Sequence, residues 1–546
     1  MNYLKKTVPC LLIFIIVVSV LHVPIGKSCK DIIIAADATA GDYSLLLKIR
    51  DPSRDGLQVL CRVPKGTEYT YHYPWTGRPW EFTVTHAFLG VTTQDDTLPN
   101  IVKAGMVLTD AGLAFGDADT LSGWVNPTKN AWDDFDWIRY ACQTAENEYQ
   151  AVILLTNEAV NQLHATGVSE NLFIVGPNRS VCIEADAFHY TTEDVSDVLV
   201  MSNYAKDLWH TQLIRSLPIA SSFDAQGETW VRRGSIVHLG SLCGVYITQI
   251  HSASITARVF PAFAFHQSGL DRETEIFIGE RTTIGPYSVQ LVDIQGNQAK
   301  ISVCTSVSAW EKEIHSHIES SIGNITVQDL MGVSRLHSDD LNGLRPMCED
   351  KNTNEAAMIF KIPAEYASLL GSGWFSANHP CSSVYVPVHI CDDDFYDAYE
   401  TGEAAELSYE LLQKYGHGNI TPLCQSVENV FLVENEINEF FAYLMILNGS
   451  TITAFVTSLD KGMQEQAFLT EQLWLTSPNN SRGIISTLWA ENYDLSLQRM
   501  RQAITTLKFI TGSEPLIQTI EQIIHNIITC QNTRETIASF CFIKNN

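Results

Sequence analysis

The amino-acid sequence predicts an α+β fold. Three observations carry that expectation: short apolar runs broken by Gly, Pro and Asn over residues 29–120 and 171–204, a helically spaced stretch from Trp132 to His164 between them, and a shift to helical spacing beyond Asp392. Side chains alternate faces along a strand and recur every three to four residues along a helix, so the two kinds of run separate by period.

The chain opens on Lys5 and Lys6, followed by an apolar run from Val8 to Val23 interrupted by Ser19 and His22. That run is shorter than the roughly 20 residues a membrane-spanning helix needs, and Pro24 follows it. Gly26 and Ser28 place small residues three and one before Cys29, the spacing that signal peptidase reads. Residues 1–28 therefore read as a signal peptide, and Cys29 as the first residue of an exported protein. Two other readings of Cys29 stand beside this one: a disulfide cysteine near a cut made elsewhere, and a lipid-modified cysteine, for which Lys27 is a poor neighbour.

A terminal cysteine combines a nucleophile with its base. The α-amino group, with an ordinary pKa of about 7.7 to 8.0, can accept the thiol proton, so no separate histidine is needed. Ile32 to Ala36 and Tyr43 to Ile49 read as strands joined by a turn over Thr39 to Asp42 that contains Gly41. A hairpin of this length returns the chain beside its own start and brings Lys48 and Asp51 within reach of Cys29.

Further along, Gly105 to Thr120 reads as two strands around the turn Asp110, Ala111, Gly112, and Val198 to Met201 as a strand leading into Asn203. Trp132 to His164 reads mostly as helix, with Tyr149, Val152, Ile153, Val160 and Leu163 on its apolar face. Residues 245–305 hold more short strands around Gly269, Gly279, Gly285 and Gly296 and read as a β-rich insertion. Trp310 to His337 reads as two helices with Asn324 between them, and Ala356 to Ile362 and Val384 to Ile390 as strands. Helices are expected at Ala404 to Tyr415, Phe431 to Leu447, Gly462 to Leu475, Ile484 to Ile510 and Leu516 to Cys530.

This order of motifs resembles the N-terminal-nucleophile hydrolases of the choloylglycine hydrolase and penicillin acylase superfamily, and within it the cysteine dipeptidases related to secernins. Counting Cys29 as one, Asp51 falls at the twenty-third place, as in the dipeptidase pattern. The Gly105 to Thr120 strand pair, Val198 to Tyr204, and Gly373-Trp374 followed by His379 to Pro387 continue the likeness in order. The resemblance implies an αββα sandwich over residues 29–391 and a helical extension over 392–546. It implies hydrolysis of a linear amide through a thioester, with Cys29 attacking and Asp51 holding its amine. Lys48 would supply charge beside the thiol, and Asn203 and a group near Asp117 would stabilise the oxyanion.

Three departures qualify that picture. Lys48 stands where the pattern has Arg and Ile49 where it has Asn, which keeps the charge but not a two-pronged hydrogen bond. Asp117 stands where it has Asn, and an ionised carboxylate would repel an oxyanion, so Asp117 must be protonated or another donor must serve. Short peptides are the first substrate class implied. An acylase of bile-acid, fatty-acyl or penicillin-type amides, a non-catalytic secreted binding protein, and a lipid-anchored surface protein are the alternatives.

The formal charge is −27, and loss of Lys5, Lys6 and Lys27 with the leader makes it more negative. Such a surface argues against nucleic acid as a partner and favours solubility. Asn178, Asn324, Asn419, Asn448 and Asn479 begin glycosylation sequons, which suit an exported glycoprotein. Of 13 cysteines, Cys381 with Cys391 and Cys530 with Cys541 are the pairs close enough in sequence to suggest disulfides. No Cys or His spacing suggests zinc, and no cofactor is expected; His337, His379 and His389 read as structural or substrate-lining.

Overall fold

The computed structural model describes residues 29–50, 56–94, 105–120, 122, 124–208, 226–238, 244–260, 273–285, 287–349 and 355–476. Along the chain, the first strands are β1 Lys30–Ile34, β2 Tyr43–Arg50, β3 Gln58–Val63, β4 Glu68–His72, β5 Pro79–Thr83, β6 Phe88–Thr93, β7 Met106–Thr109 and β8 Ala114–Asp119. After three helical segments come β9 Glu170–Val175, β10 Ser180–Ala185, β11 Tyr190–Asp194 and β12 Val198–Ser202. Eight more lie between residues 226 and 305: β13 Gln226–Arg232, β14 Ile236–His238, β15 Gly244–Ile250, β16 Ser254–Phe260, β17 Thr274–Phe277, β18 Arg281–Ile284, β19 Tyr287–Gln295 and β20 Gln298–Thr305. β21 Ala356–Pro363, β22 Ser372–Ser376 and β23 Val386–His389 complete the set.

Two large antiparallel sheets organise these strands. One runs β12-β1-β2-β21-β22-β23 and the other β11-β10-β9-β8-β7-β6-β3. The apolar runs found in the sequence form their centres: Ile32, Ile33, Ile34, Leu45, Leu46 and Leu47 are all buried, on both sides of their strands. Strands buried on both faces need cover on both, and the contacts supply it. Helices Ser306–Glu319 and Val327–Ser334 pack on β12, β2 and β21, while helix Asp134–Cys142 packs on β7 and β8 and helix Glu148–Ile153 on β9. β8 lies against β1 and β2, and a Cβ on Gly116 at its centre would lie 3.5 Å from each of Asp31, Leu46 and Phe173. Strands β13 to β20 form two four-stranded sheets around a core of their own, in which Val245, Ile247, Ile255, Tyr287, Val289 and Ile301 are buried.

Several element boundaries differ from the sequence expectation. The stretch Trp132 to His164 is not one helix: Asp134–Cys142 ends, Asn147 caps a new helix by accepting from the Gln150 amide, and Glu148–Ile153 widens into a π-helix over Leu154–Gln162. Tyr149 and Ile153 are exposed, while Ala151, Leu155, Ala159 and Val160 are buried. Helices Glu403–Tyr415, His417–Leu447 and Thr453–Thr476 follow β23. The expected helices Ile484 to Ile510 and Leu516 to Cys530 lie outside the described residues. Contacts divide the chain into two units, residues 1–428 with 452–478, and residues 429–451 with 479–546; the described part of the second is the later half of helix His417–Leu447 and the turn after it. Among the described residues, no helix is long and apolar enough to cross a membrane.

The turn between β7 and β8 depends on glycine. Gly112 has φ +75°, and a Cβ placed on it would lie 2.6 Å from the Ala367 Cβ. Gly112→Ala is therefore expected to cost roughly 1–3 kcal/mol, from the left-handed backbone and the collision together. It should lower the urea midpoint at unchanged m-value; an unmoved midpoint would show that this turn carries no such constraint.

Candidate active site

β1 and β2 pair so that Asp31 lies opposite Lys48, and β1 and β12 pair so that Asp31 lies opposite Met201 and Lys30 opposite Ser202. Continuing both registers by one residue sets Cys29 between Arg50 and Asn203. Directly opposed residues share a face, and so do residues two apart along a strand. Cys29, Asp31, Lys48, Arg50 and Asn203 therefore stand on one face of the first sheet. β8 of the second sheet meets that face.

Lys48 is the hub. Its ammonium is fully buried, lies 3.3 Å from Asp117 Oδ1 and 3.5 Å from Asp31 Oδ1, and donates to the Asp117 carbonyl. Burial works against its charge, but Asp117 and Asp31 outweigh burial and hold its pKa well above the usual lysine value. Both carboxyls are shifted up, chiefly by burial and only partly relieved by Lys48, and the stronger push falls on Asp31. One ammonium cannot neutralise two buried carboxylates. Lys48 is thus the fixed cation, Asp117 its closer partner, and Asp31 the more readily protonated acid.

The half-buried Cys29 thiol feels the same surroundings. Its pKa is pushed up to about 11, first by burial and then by Asp117 and Asp31, against the lowering effect of Lys48. At neutral pH this thiol keeps its proton unless a base beside it takes that proton.

Asn203 follows the last residue of β12. It is half-buried and its Oδ1 is buried without a hydrogen-bond partner. Asn171 on β9, fully buried, donates from Nδ2 to the Ser202 carbonyl at 2.9 Å and the Tyr204 carbonyl at 3.0 Å. It therefore grips the backbone on both sides of Asn203. Beyond Asp117, a row of acids continues with Asp119, Glu170 and Asp134. Burial and mutual repulsion raise Glu170 and Asp134 well above ordinary carboxyl values. A Cβ on Gly105 would sit 2.8 Å from Asp117 Oδ1, so only glycine leaves Asp117 its place.

The structure thus brings Cys29, Lys48 and Asp117 together and sets Asn203 opposite Cys29 by register. Asp51 lies outside the described residues. Asp31 and Asn171 escaped the sequence reading: Asp31 sits in an isoleucine run that reads as plain strand, and Asn171 opens a strand where an amide is ordinary. A polar residue two places after Cys29, on the same face of β1, was the available signal for Asp31.

A scan against protein-family models finds no match, and a search of curated proteins finds none either. Among solved structures, penicillin V acylase from Agrobacterium tumefaciens is similar at TM-score 0.24 and 13% identity, over 31% of this chain and 51% of that one. A mutant of conjugated bile acid hydrolase from Clostridium perfringens is similar at TM-score 0.25 and 12% identity, over 37% of this chain and 60% of that one. The likeness thus spans little more than half the length of either.

The raised pKa of Asp31 has a consequence for stability. A carboxyl that binds its proton more tightly when folded loses stability as pH climbs above its unfolded value of about 3.9. Asn at this position suffers no such loss, and Lys48 keeps Asp117. Asp31→Asn is expected to raise Tm relative to the native chain, little at pH 4 and progressively more towards pH 7. A difference in Tm that does not change with pH would contradict the assignment.

Proposed function

We propose that this chain is an exported cysteine amidohydrolase of the N-terminal-nucleophile type, an αββα sandwich with a helical extension, and that its substrates are short peptides. One observation carries this reading: Cys29 stands at the very start of β1, facing Lys48, Asp117 and Asn203, in the place where a cut after Ser28 would make it terminal. Glycosylation at the sequons fits the same exported state.

In the proposed reaction, the freed α-amine of Cys29 takes the Sγ proton and the sulfur attacks the substrate carbonyl carbon. The amide C–N bond then breaks, the amine returns the proton to the leaving nitrogen, and a thioester remains for water to hydrolyse. A thiol held near 11 by burial needs such a base, and the amine becomes cationic once it has taken the proton, which offsets the surrounding carboxylates. Lys48 supplies fixed positive charge, Asn203 donates to the oxyanion from Nδ2, and Asp51 orients the amine.

Terminal mass analysis of the secreted protein should find unmodified Cys29 first; an acylated Cys29 or a different first residue would overturn the reading. Asn203→Ala should lower kcat about 10²–10³-fold with KM and Tm little moved, because a lost oxyanion donor acts on the transition state. Parallel losses of Tm and kcat would make Asn203 a strand-end cap instead. Asp117→Asn removes a negative charge that raises the Cys29 pKa, so the acidic limb of kcat/KM should move to lower pH; an unmoved limb would place Asp117 outside the reacting site. Turnover of N-acyl amides with none of dipeptides would replace the peptidase assignment by an acylase.

A further inference from the structure

On the other face of β1, Lys30 leads to a second cluster of reactive side chains. Lys30 Nζ lies 3.4 Å from Glu355 and 3.5 Å from Glu349. Glu355 Oε2 in turn lies 2.8 Å from His379 Nδ1 and accepts from the Cys348 thiol at 3.6 Å. Three separate segments meet here. His337 begins the loop after helix Val327–Ser334, and that loop folds back so that the Met347 and Cys348 amides both donate to the Leu336 carbonyl. Cys381 sits in the turn after β22, where the Ser382 and Ser383 amides donate to the His379 carbonyl. Arg335 Nε donates to the Pro380 carbonyl at 2.6 Å, so loop and turn are pinned together by contacts that do not involve the thiols.

We propose that His337, Cys348 and Cys381 form a binding site for a zinc-type divalent cation that staples this loop to this turn. One donor atom from each of the three lies within 4.8 Å of the other two. Cys348 and Cys381 are fully buried, and His337 is half-buried with its ring stacked on His417 at 3.9 Å, which fixes its plane. Two thiolates and an imidazole are a soft donor set that selects zinc over calcium or magnesium, which take oxygen ligands. Three protein donors leave one position of a tetrahedron over.

Cys348 also shares a 4.8 Å neighbourhood with Glu355 and His379, so further metal-ligating groups stand beside the three. Cys381 packs in a cluster with Cys348, and both are free thiols, as is Cys391, the nearest cysteine to Cys381 in sequence. Spacing alone could not show this site, since its ligands come from positions 337, 348 and 381 with no short motif.

Elemental analysis of the purified full-length protein tests the site. About one zinc per chain is expected, with at least a tenfold weaker hold on it in Cys381→Ser and His337→Ala. Chelator-treated protein titrated with cobalt should show a thiolate-to-cobalt charge-transfer band that Cys348→Ser abolishes. Should those variants fail to fold, zinc content and the cobalt spectrum of the unmutated chain decide alone. Absence of both bound zinc and the cobalt band overturns the proposal. So does a protein two hydrogens lighter than its thiol form that yields a linked Cys348–Cys381 peptide, which would show a disulfide in place of a metal site.

Discussion

The buried ammonium of Lys48 is the interaction on which the site depends. A charge with no access to water is tolerated only when paired and hydrogen-bonded. Lys48 is paired in two directions: across the strand to Asp31 within the first sheet, and between sheets to the side chain and carbonyl of Asp117. The two sheets are thereby held in one relation at the spot where Cys29 begins. Glycine at 105 follows from this, because a Cβ there would lie 2.8 Å from Asp117 Oδ1.

The same arrangement leaves an excess of negative charge. Asp31, Asp117, Asp134 and Glu170 all have raised pKa values, with burial as the leading cause in each. Against them stand Lys48 and Arg50, the latter bound to Gln58 at 2.7 Å and stacked over Phe135. In the proposed reaction, a freed α-ammonium at Cys29 adds the missing positive charge beside the thiol. The shift that keeps the thiol protonated in the uncut chain would then weaken on cleavage, so that the nucleophile is quiet until the leader is gone.

Much of the first sheet was legible because its strands are apolar on both faces and end at strong turn residues: Ile32 to Ile34, Gly41, and Leu45 to Leu47. Lys48 could be singled out because the hairpin returns it beside Cys29, where the resembled pattern also has a cation. Asp31 could not, because its partners lie on another strand and another sheet. Trp132 to His164 is mostly helical, as its spacing suggests, but 3.6-residue periodicity could not register the break after Cys142 or the π-helix Leu154–Gln162. The cysteine and histidine cluster was hidden for a third reason: its members come together only after the 337–348 loop and the 379–383 turn have folded. Cys381 was expected beside Cys391, by closeness in sequence, and it is Cys348 that the fold brings to it.

The central claim is that the base for Cys29 is its own amine. A chain carrying one extra, unremoved Ala before Cys29 keeps the thiol, Lys48 and Asn203 but converts that amine to an amide without basicity. With the extra residue confirmed by intact mass, this protein should fold with an unchanged Tm and turn over neither peptides nor acyl amides. Substantial turnover by it would contradict the account.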